Sequence, residues 1–186
     1  MDTLDIEDTT LRLVSGDITN QKVGVVVNAA NSSLMGGGGV DGAIHDSGGP
    51  AIKEECRAIR DRDYPDGLPT GEAVTTTAGD LPARRVIHTV GPRWKDGHSG
   101  EERLLANAYR HSLREARRSD ERTVAFPSIS TGAYGYPVQE AARVALRAVI
   151  DELQAHPGAF DEVRFVLFSE SDFEAYERAL DEAASA

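Results

Sequence analysis

Apolar positions along the chain follow two rhythms. Short β-branched runs read as strands: Leu11 to Val14, Val23 to Asn28, Ala73 to Thr77, Arg85 to Val90, Thr123 to Ser128 and Val163 to Phe168. Longer amphipathic stretches at helical spacing run from Gly42 to Asp46, Pro50 to Arg60, Glu101 to Ser119, Val138 to Ala155 and Asp172 to Ala184. This alternation predicts an α/β domain with helices on both faces of a sheet. Val25, Val26 and Val27 in succession predict a strand buried on both faces, as in the middle of a largely parallel sheet. Pro50, Pro127, Pro137 and Pro157 fall at element boundaries.

The chain has 186 residues, 40% of them hydrophobic, and neither a repeat nor a linker divides it, so one domain over residues 1–186 is expected. The formal net charge of -11 repels polyanions and argues against general nucleic-acid binding, while leaving room for a small anion bound locally. Cys56 is the single cysteine, which rules out an internal disulfide and points to a reducing, cytoplasmic setting. No run approaches the roughly 20 apolar residues of a membrane helix. The first residues, with Asp2, Asp5, Glu7 and Asp8, are acidic where an export signal is basic, so no membrane partner is expected.

Four segments carry candidate chemistry. Asn28-Ala-Ala-Asn31-Ser-Ser-Leu-Met-Gly36-Gly-Gly-Gly39-Val-Asp41-Gly-Ala-Ile-His45 leaves a buried strand, passes four glycines and enters a helix. Consecutive glycines let backbone N–H groups approach an anion, and a helix start adds partial positive charge. No lysine lies between Lys22 and Lys53, so this is not a Walker loop, and the glycine spacing is not that of a dinucleotide fold. Ser128-Ile-Ser-Thr-Gly132-Ala-Tyr134-Gly135-Tyr-Pro137 is a second donor loop between strand and helix, able to clamp a diphosphate with the first. Tyr134 and Tyr136 serve either the ligand or ordinary packing. Asp17, after the first strand, is placed to accept from an exocyclic amine or to cap a turn. Phe168, at the end of the last strand, stacks on a base or packs in the core.

Together these strings resemble the macrodomain family, and the likeness continues through Thr70-Gly-Glu-Ala, Gly79-Asp-Leu-Pro-Ala and His88-Thr-Val-Gly-Pro92, covering about residues 10 to 180. The sequence is most similar to the MacroD-type branch, whose members bind ADP-ribose and remove it from acidic side chains or hydrolyse O-acetyl-ADP-ribose. The resemblance implies a three-layer α/β/α fold with a mixed, largely parallel sheet of about six strands. It implies that Asp17 holds the adenine amine with Ile18 beside it, and that Phe168 packs on the adenine ring. Gly36, Gly37, Gly38, Gly39 and Val40 would wrap the diphosphate from one side, and Ser130, Thr131, Gly132, Ala133 and Tyr134 from the other. Asn31 would orient the distal ribose and Asp41 would position or activate water. The implied partners are ADP-ribose, its esters and mono-ADP-ribosylated proteins; no cofactor or metal is called for by these residues.

From the residues alone, Asp41 beside a helix start is expected to be favoured in its ionised form. His45, four residues on, shares its helix face in a structural role or as a relay. His88 is assigned to a buried strand. Cys56, with Glu54 and Glu55 beside it and no matched base in view, is not read as a nucleophile. Where many MacroD-type chains continue His-x-Ala-Ala-Gly-Pro, this one has His45-Asp46-Ser47-Gly48-Gly49-Pro50, which is expected to bring a carboxylate near the distal ribose.

Overall fold

Two strands open the chain, β1 (Thr3–Ile6) and β2 (Thr9–Ser15), followed by a 3-10 turn at Ile18–Asn20. This is a computed structural model, and it describes residues 1–186. Next come β3 (Val25–Ala30), α1 (Gly39–Gly48), α2 (Pro50–Arg62), β4 (Ala73–Thr77) and β5 (Arg85–Val90). The remainder is α3 (Glu101–Arg118), β6 (Thr123–Phe126), α4 (Val138–Ala155), β7 (Glu162–Leu167) and α5 (Glu170–Ala184). The strands form one sheet in the order β1-β2-β7-β6-β3-β5-β4. The five inner strands are parallel, and β1 and β4 close the two edges antiparallel.

Side chains of β3 alternate between two cores, as a period of two requires. Val25 and Val27 join Phe126, Phe165, Leu105, Leu146 and Leu180 under α3, α4 and α5. Val26 joins Val86, Ala125, Val166, Ile44 and Ile52 under α1 and α2. All three valines are at most 1% exposed, so the expected double-sided burial is present. Each such side chain contributes about 1.5–3 kcal/mol.

The sheet has seven strands where about six were expected. The additional strand, β1, pairs with β2 through an acidic hairpin in which Glu7 adopts φ 51°. Only Leu4 and Ile6 alternate there, too short a pattern to register against the surrounding carboxylates. Strand β3 runs from Val25 to Ala30 where Val23 to Asn28 was expected, because Ala29 and Ala30 still pair with Thr89 and Val90 of β5. Helix α1 begins at Gly39, three residues before the sequence expectation, and Ser169 caps α5 by accepting from Asp172 N at 3.1 Å. β6 ends at Phe126 and β7 at Leu167, so Ser128 and Phe168 lie in the loops beyond them.

Because the inner five strands are parallel, their carboxyl ends share one edge. At about 4.8 Å per strand that edge spans about 19 Å. In spatial order it carries Asp17 after β2, Phe168 after β7, the Ser128–Pro137 loop after β6, the Asn31–Gly38 loop after β3 and the Gly91–Gly100 loop after β5.

Candidate functional site

A cavity of about 360 Å³ opens at the middle of this edge, between the β3 and β6 loops. Ligands in open α/β sheets bind at such places. Its walls include Asn31, Gly37, Gly38, Gly39, Val40 and Asp41 from one loop, and Ser128, Ser130, Gly132, Ala133 and Tyr134 from the other. The N–H groups of Gly37, Gly38, Gly132, Ala133 and Tyr134 donate to no acceptor in the protein, and Gly39 and Val40 open α1, where helical N–H groups are unpaired by construction. Two sets of main-chain donors therefore face one space. Ser130 holds φ +70°, a conformation that costs a non-glycine residue energy, and its buried Oγ has no partner.

The second loop rests on a chain of hydroxyls. Tyr176 OH donates to Ser128 Oγ at 3.0 Å, and Ser128 Oγ bonds Thr131 Oγ1 at 2.8 Å. Ile129 N donates to Tyr109 OH at 3.0 Å. Thr131 thus faces the support rather than the cavity wall. The two tyrosines of the loop divide: Tyr136 is buried against Trp94, with ring centroids 4.6 Å apart, whereas Tyr134 lines the cavity.

In the first loop, Asn31 Nδ2 donates to Gly36 O at 3.0 Å and Asn31 Oδ1 accepts from Ser33 N at 3.0 Å. Gly36 serves as that acceptor and does not line the cavity. A Cβ on Gly37 would sit 3.3 Å from both Asn31 Nδ2 and Asp41 Oδ2, so the glycine lets these two groups converge. Arg60 on α2 pins the turn from behind, donating to Ser33 O, Tyr64 O and Pro65 O.

Asp41 is 4% exposed, in the first turn of α1. Its Oδ1 accepts from Asn28 Nδ2 at 2.8 Å, and its Oδ2 is buried with no partner. Burial raises its pKa, opposed by the Asn28 hydrogen bond and by His45. This departs from the expectation of a helix start favouring the ionised form: desolvation outweighs the dipole. Asn28 Nδ2 also donates to His88 Nδ1 at 3.0 Å. Thr76 Oγ1 donates to Thr77 O at 2.9 Å, so at its 2.8 Å contact with His88 Nε2 it accepts. His88 therefore carries its proton on Nε2, and burial lowers its pKa to about 3.

A family model described as the macro domain matches residues 27–145. The chain belongs to the macrodomain family. A macro domain-containing protein of Caldanaerobacter subterraneus subsp. tengcongensis is 56% identical over 172 residues, covering 92% of this chain and 96% of the relative. An Escherichia coli (strain K12) protein named O-acetyl-ADP-ribose deacetylase is 49% identical, with 92% and 96% covered. The solved structure of the Oceanobacillus iheyensis macrodomain with ADP superposes with a TM-score of 0.94 at 45% identity, covering 98% of this chain and 96% of that one.

Besides Gly36 and Thr131, three more of the residues expected at the ligand lie outside the macrodomain's central cavity. Asp17 Oδ1 caps the 3-10 turn, accepting from Thr19 N at 2.8 Å and Thr19 Oγ1 at 2.7 Å; the hydroxyl, then the amide, lowers its pKa. Ile18 is buried in the core beneath α1. Phe168 is 88% exposed, so it is not a core residue. Asp17 and Phe168 nevertheless stand side by side, since β2 and β7 pair up to Ser15 and Leu167 and Gly16 N donates to Leu167 O at 3.2 Å. Asp46 is exposed and lines neither this cavity nor its neighbour, which corrects the expectation of an added carboxylate at the ribose end. The extra glycine, Gly48, ends α1 where a Cβ would meet Ile52 Cδ1 at 2.2 Å, so it serves the packing of α1 on α2.

His88 Nε2 lies 3.6 Å from the Cys56 Sγ, a proximity the sequence did not reveal, but that nitrogen carries its proton and donates to Thr76, so it is no base toward the thiol. Burial pushes the thiol up to about 12, so it stays protonated. His45, Cys56 and His88 place donor atoms within 4.8 Å of one another. The His88 nitrogens are both committed, Nδ1 as acceptor and Nε2 as donor, so metal binding there would break the Asn28–His88–Thr76 chain. His45 Nε2 lies 3.4 Å from Asp41 Oδ1, close enough to influence its charge. The residues the sequence reading missed are Asn28 and Arg60. Asn28 was visible as a polar residue ending an otherwise apolar strand, and Arg60 had no signal.

Proposed function

We propose that this macrodomain binds ADP-ribose and hydrolyses esters at its distal ribose, removing mono-ADP-ribose from acidic side chains and deacetylating O-acetyl-ADP-ribose. The observation that carries the reading is Asp41 Oδ2: a buried, unpartnered carboxylate oxygen beside Asn31 at one end of a main-chain anion cradle. In this reading the diphosphate lies between the two donor loops, with the adenine toward Asp17 and Phe168. The distal ribose then reaches Asn31 and Asp41. Hydrolysis consumes one water, and yields a free carboxylate and ADP-ribose. Asp41 Oδ2 accepts a hydrogen bond from that water, while Asn28 holds Oδ1 so that the carboxylate cannot rotate. The name of the Escherichia coli relative supports the ester chemistry, and the ADP of the Oceanobacillus structure supports a nucleoside diphosphate as the ligand class.

The deciding experiment incubates wild type and Asp41→Ala with glutamate-linked ADP-ribosylated protein and with O-acetyl-ADP-ribose, and quantifies released ADP-ribose. Wild type should turn both over, and the variant should lose at least about a hundredfold, the lower range for a positioned acid–base group, while still binding ADP-ribose. Binding without turnover in the wild type would make this a reader module, and release of phosphate from ADP-ribose 1''-phosphate alone would make it a phosphatase.

A further inference from the structure

A second cavity, of about 320 Å³, adjoins the first and shares Asn31, Gly91 and Tyr134 with it. It exists because β5 is the neighbour of β3 on the side away from β6, which sets the Gly91–Gly100 loop beside Asn31. Gly91 allows the close approach, since a Cβ there would meet Ser130 Oγ at 2.2 Å. The loop is fastened to the β6 loop by Trp94 N donating to Tyr134 O at 2.8 Å.

The charges of this loop are sorted. Glu101, buried at the start of α3, turns inward: its Oε2 accepts from Lys95 N, Asp96 N and Gly97 N, and its Oε1 from Ser99 N. Asp96 accepts from His98 N and Ser99 Oγ. The cations remain outward. Arg93 and Lys95 are exposed, line the cavity and form no ion pair; Arg93 lies over the Tyr134 ring at 4.7 Å. Glu101 also lines the cavity, but its amide donors saturate its carboxylate, which leaves Arg93 and Lys95 as the charged side chains open at this mouth.

We propose that this groove receives the polypeptide carrying the ADP-ribosyl ester, and that Arg93 and Lys95 select segments with acidic residues flanking the modified side chain. This rests on the hydrolase reading above, which puts the scissile ester at Asn31, where the two cavities meet. An acetyl group occupies on the order of 60 Å³, twice the share of a water molecule. The groove is several times larger than that ester requires, and its free charges fit carboxylates.

The test uses glutamate-linked ADP-ribosyl peptides with acidic or basic flanks, alongside O-acetyl-ADP-ribose, on wild type and Lys95→Glu, which leaves Arg93 on Tyr134. Wild type should favour the acidic flank by about fivefold in kcat/KM, the scale of one good exposed ion pair, and the preference should shrink in high salt. Lys95→Glu should abolish or invert it, with O-acetyl-ADP-ribose turnover unchanged. Equal use of both peptides by wild type, or a variant that loses O-acetyl-ADP-ribose turnover equally, would overturn the proposal. If neither ester is hydrolysed, the hydrolase reading fails by itself. Calorimetric affinities of the same two peptides then decide whether the groove discriminates: an acidic preference above that of free ADP-ribose supports it, and equal affinities refute it.

Discussion

At the scale of single residues the site depends on one amide. Asn28 spends its two N–H bonds on Asp41 Oδ1 and His88 Nδ1, so a strand residue with no exposed surface sets the rotamer of the carboxylate and the tautomer of the histidine. The pH consequence has a definite sign. His88 has a pKa of about 3 in the folded protein against 6.5 for the free side chain, so between those values the unfolded chain binds the extra proton. Its contribution is complete above pH 6.5 and is lost as pH falls toward about 3, with a slope of up to about 1.4 kcal/mol per pH unit. Urea unfolding of wild type and His88→Gln at pH 7 and pH 4.5 checks this: the variant should show the smaller difference between the two pH values. At this scale the cradle glycines were legible from their place between a strand and a helix, and Asn31 and Asp41 from the resemblance to macrodomain sequences. The role of Asn28 was not, because its partners lie 13 and 60 residues away.

Among elements, each loop has its own principal fastener, and the β5 and β6 loops are also tied to each other by Trp94 N donating to Tyr134 O. The β6 loop stands on the Tyr176–Ser128–Thr131 hydroxyls, the β3 loop on Arg60, and the β5 loop on Glu101. Burial by itself would raise the Glu101 pKa, but the amides of Gly97, Glu101, Lys95 and Ser99 together hold it at about 2. A carboxyl depressed in this way supports the fold above the ordinary glutamate range and loses that support as pH falls through about 2. Glu101→Gln offers one acceptor oxygen where the carboxylate offers two. Hydrogen exchange at the Lys95, Asp96, Gly97 and Ser99 amides should therefore accelerate in this variant, while the amides of β3 and β6 keep their protection. The segment between α2 and β4 and the loop after β5 both border the site: Leu68 N donates to Ser32 O at 2.9 Å, and the second forms the neighbouring groove.

For the whole molecule, one edge of five parallel strands presents a linear series of chemistries about 19 Å long. A ligand that spans the series should stabilise the fold more than a fragment of it. At one hundred times its Kd a ligand adds about 2.7 kcal/mol, which for a chain of this size raises Tm by about 5–10 °C. In a thermal shift at equal concentrations ADP-ribose should exceed ADP, and ADP should exceed AMP. Equal shifts for all three would show that the distal ribose and diphosphate sites do not contribute.

The sequence by itself determined the local parts: strands and helices from the period of apolar residues, two glycine-bearing donor loops at strand ends, and an aspartate beside a helix start. These follow from backbone preferences acting over a few residues. Only the tertiary structure decided the strand order, the seventh strand, the buried chain through Asn28 and His88, the separation of Asp17 and Phe168 from the central cavity, and the groove beside Asn31. Each arises where segments distant along the chain pack together, and the pairing that wins depends on the burial of the whole sheet rather than on any short stretch of residues.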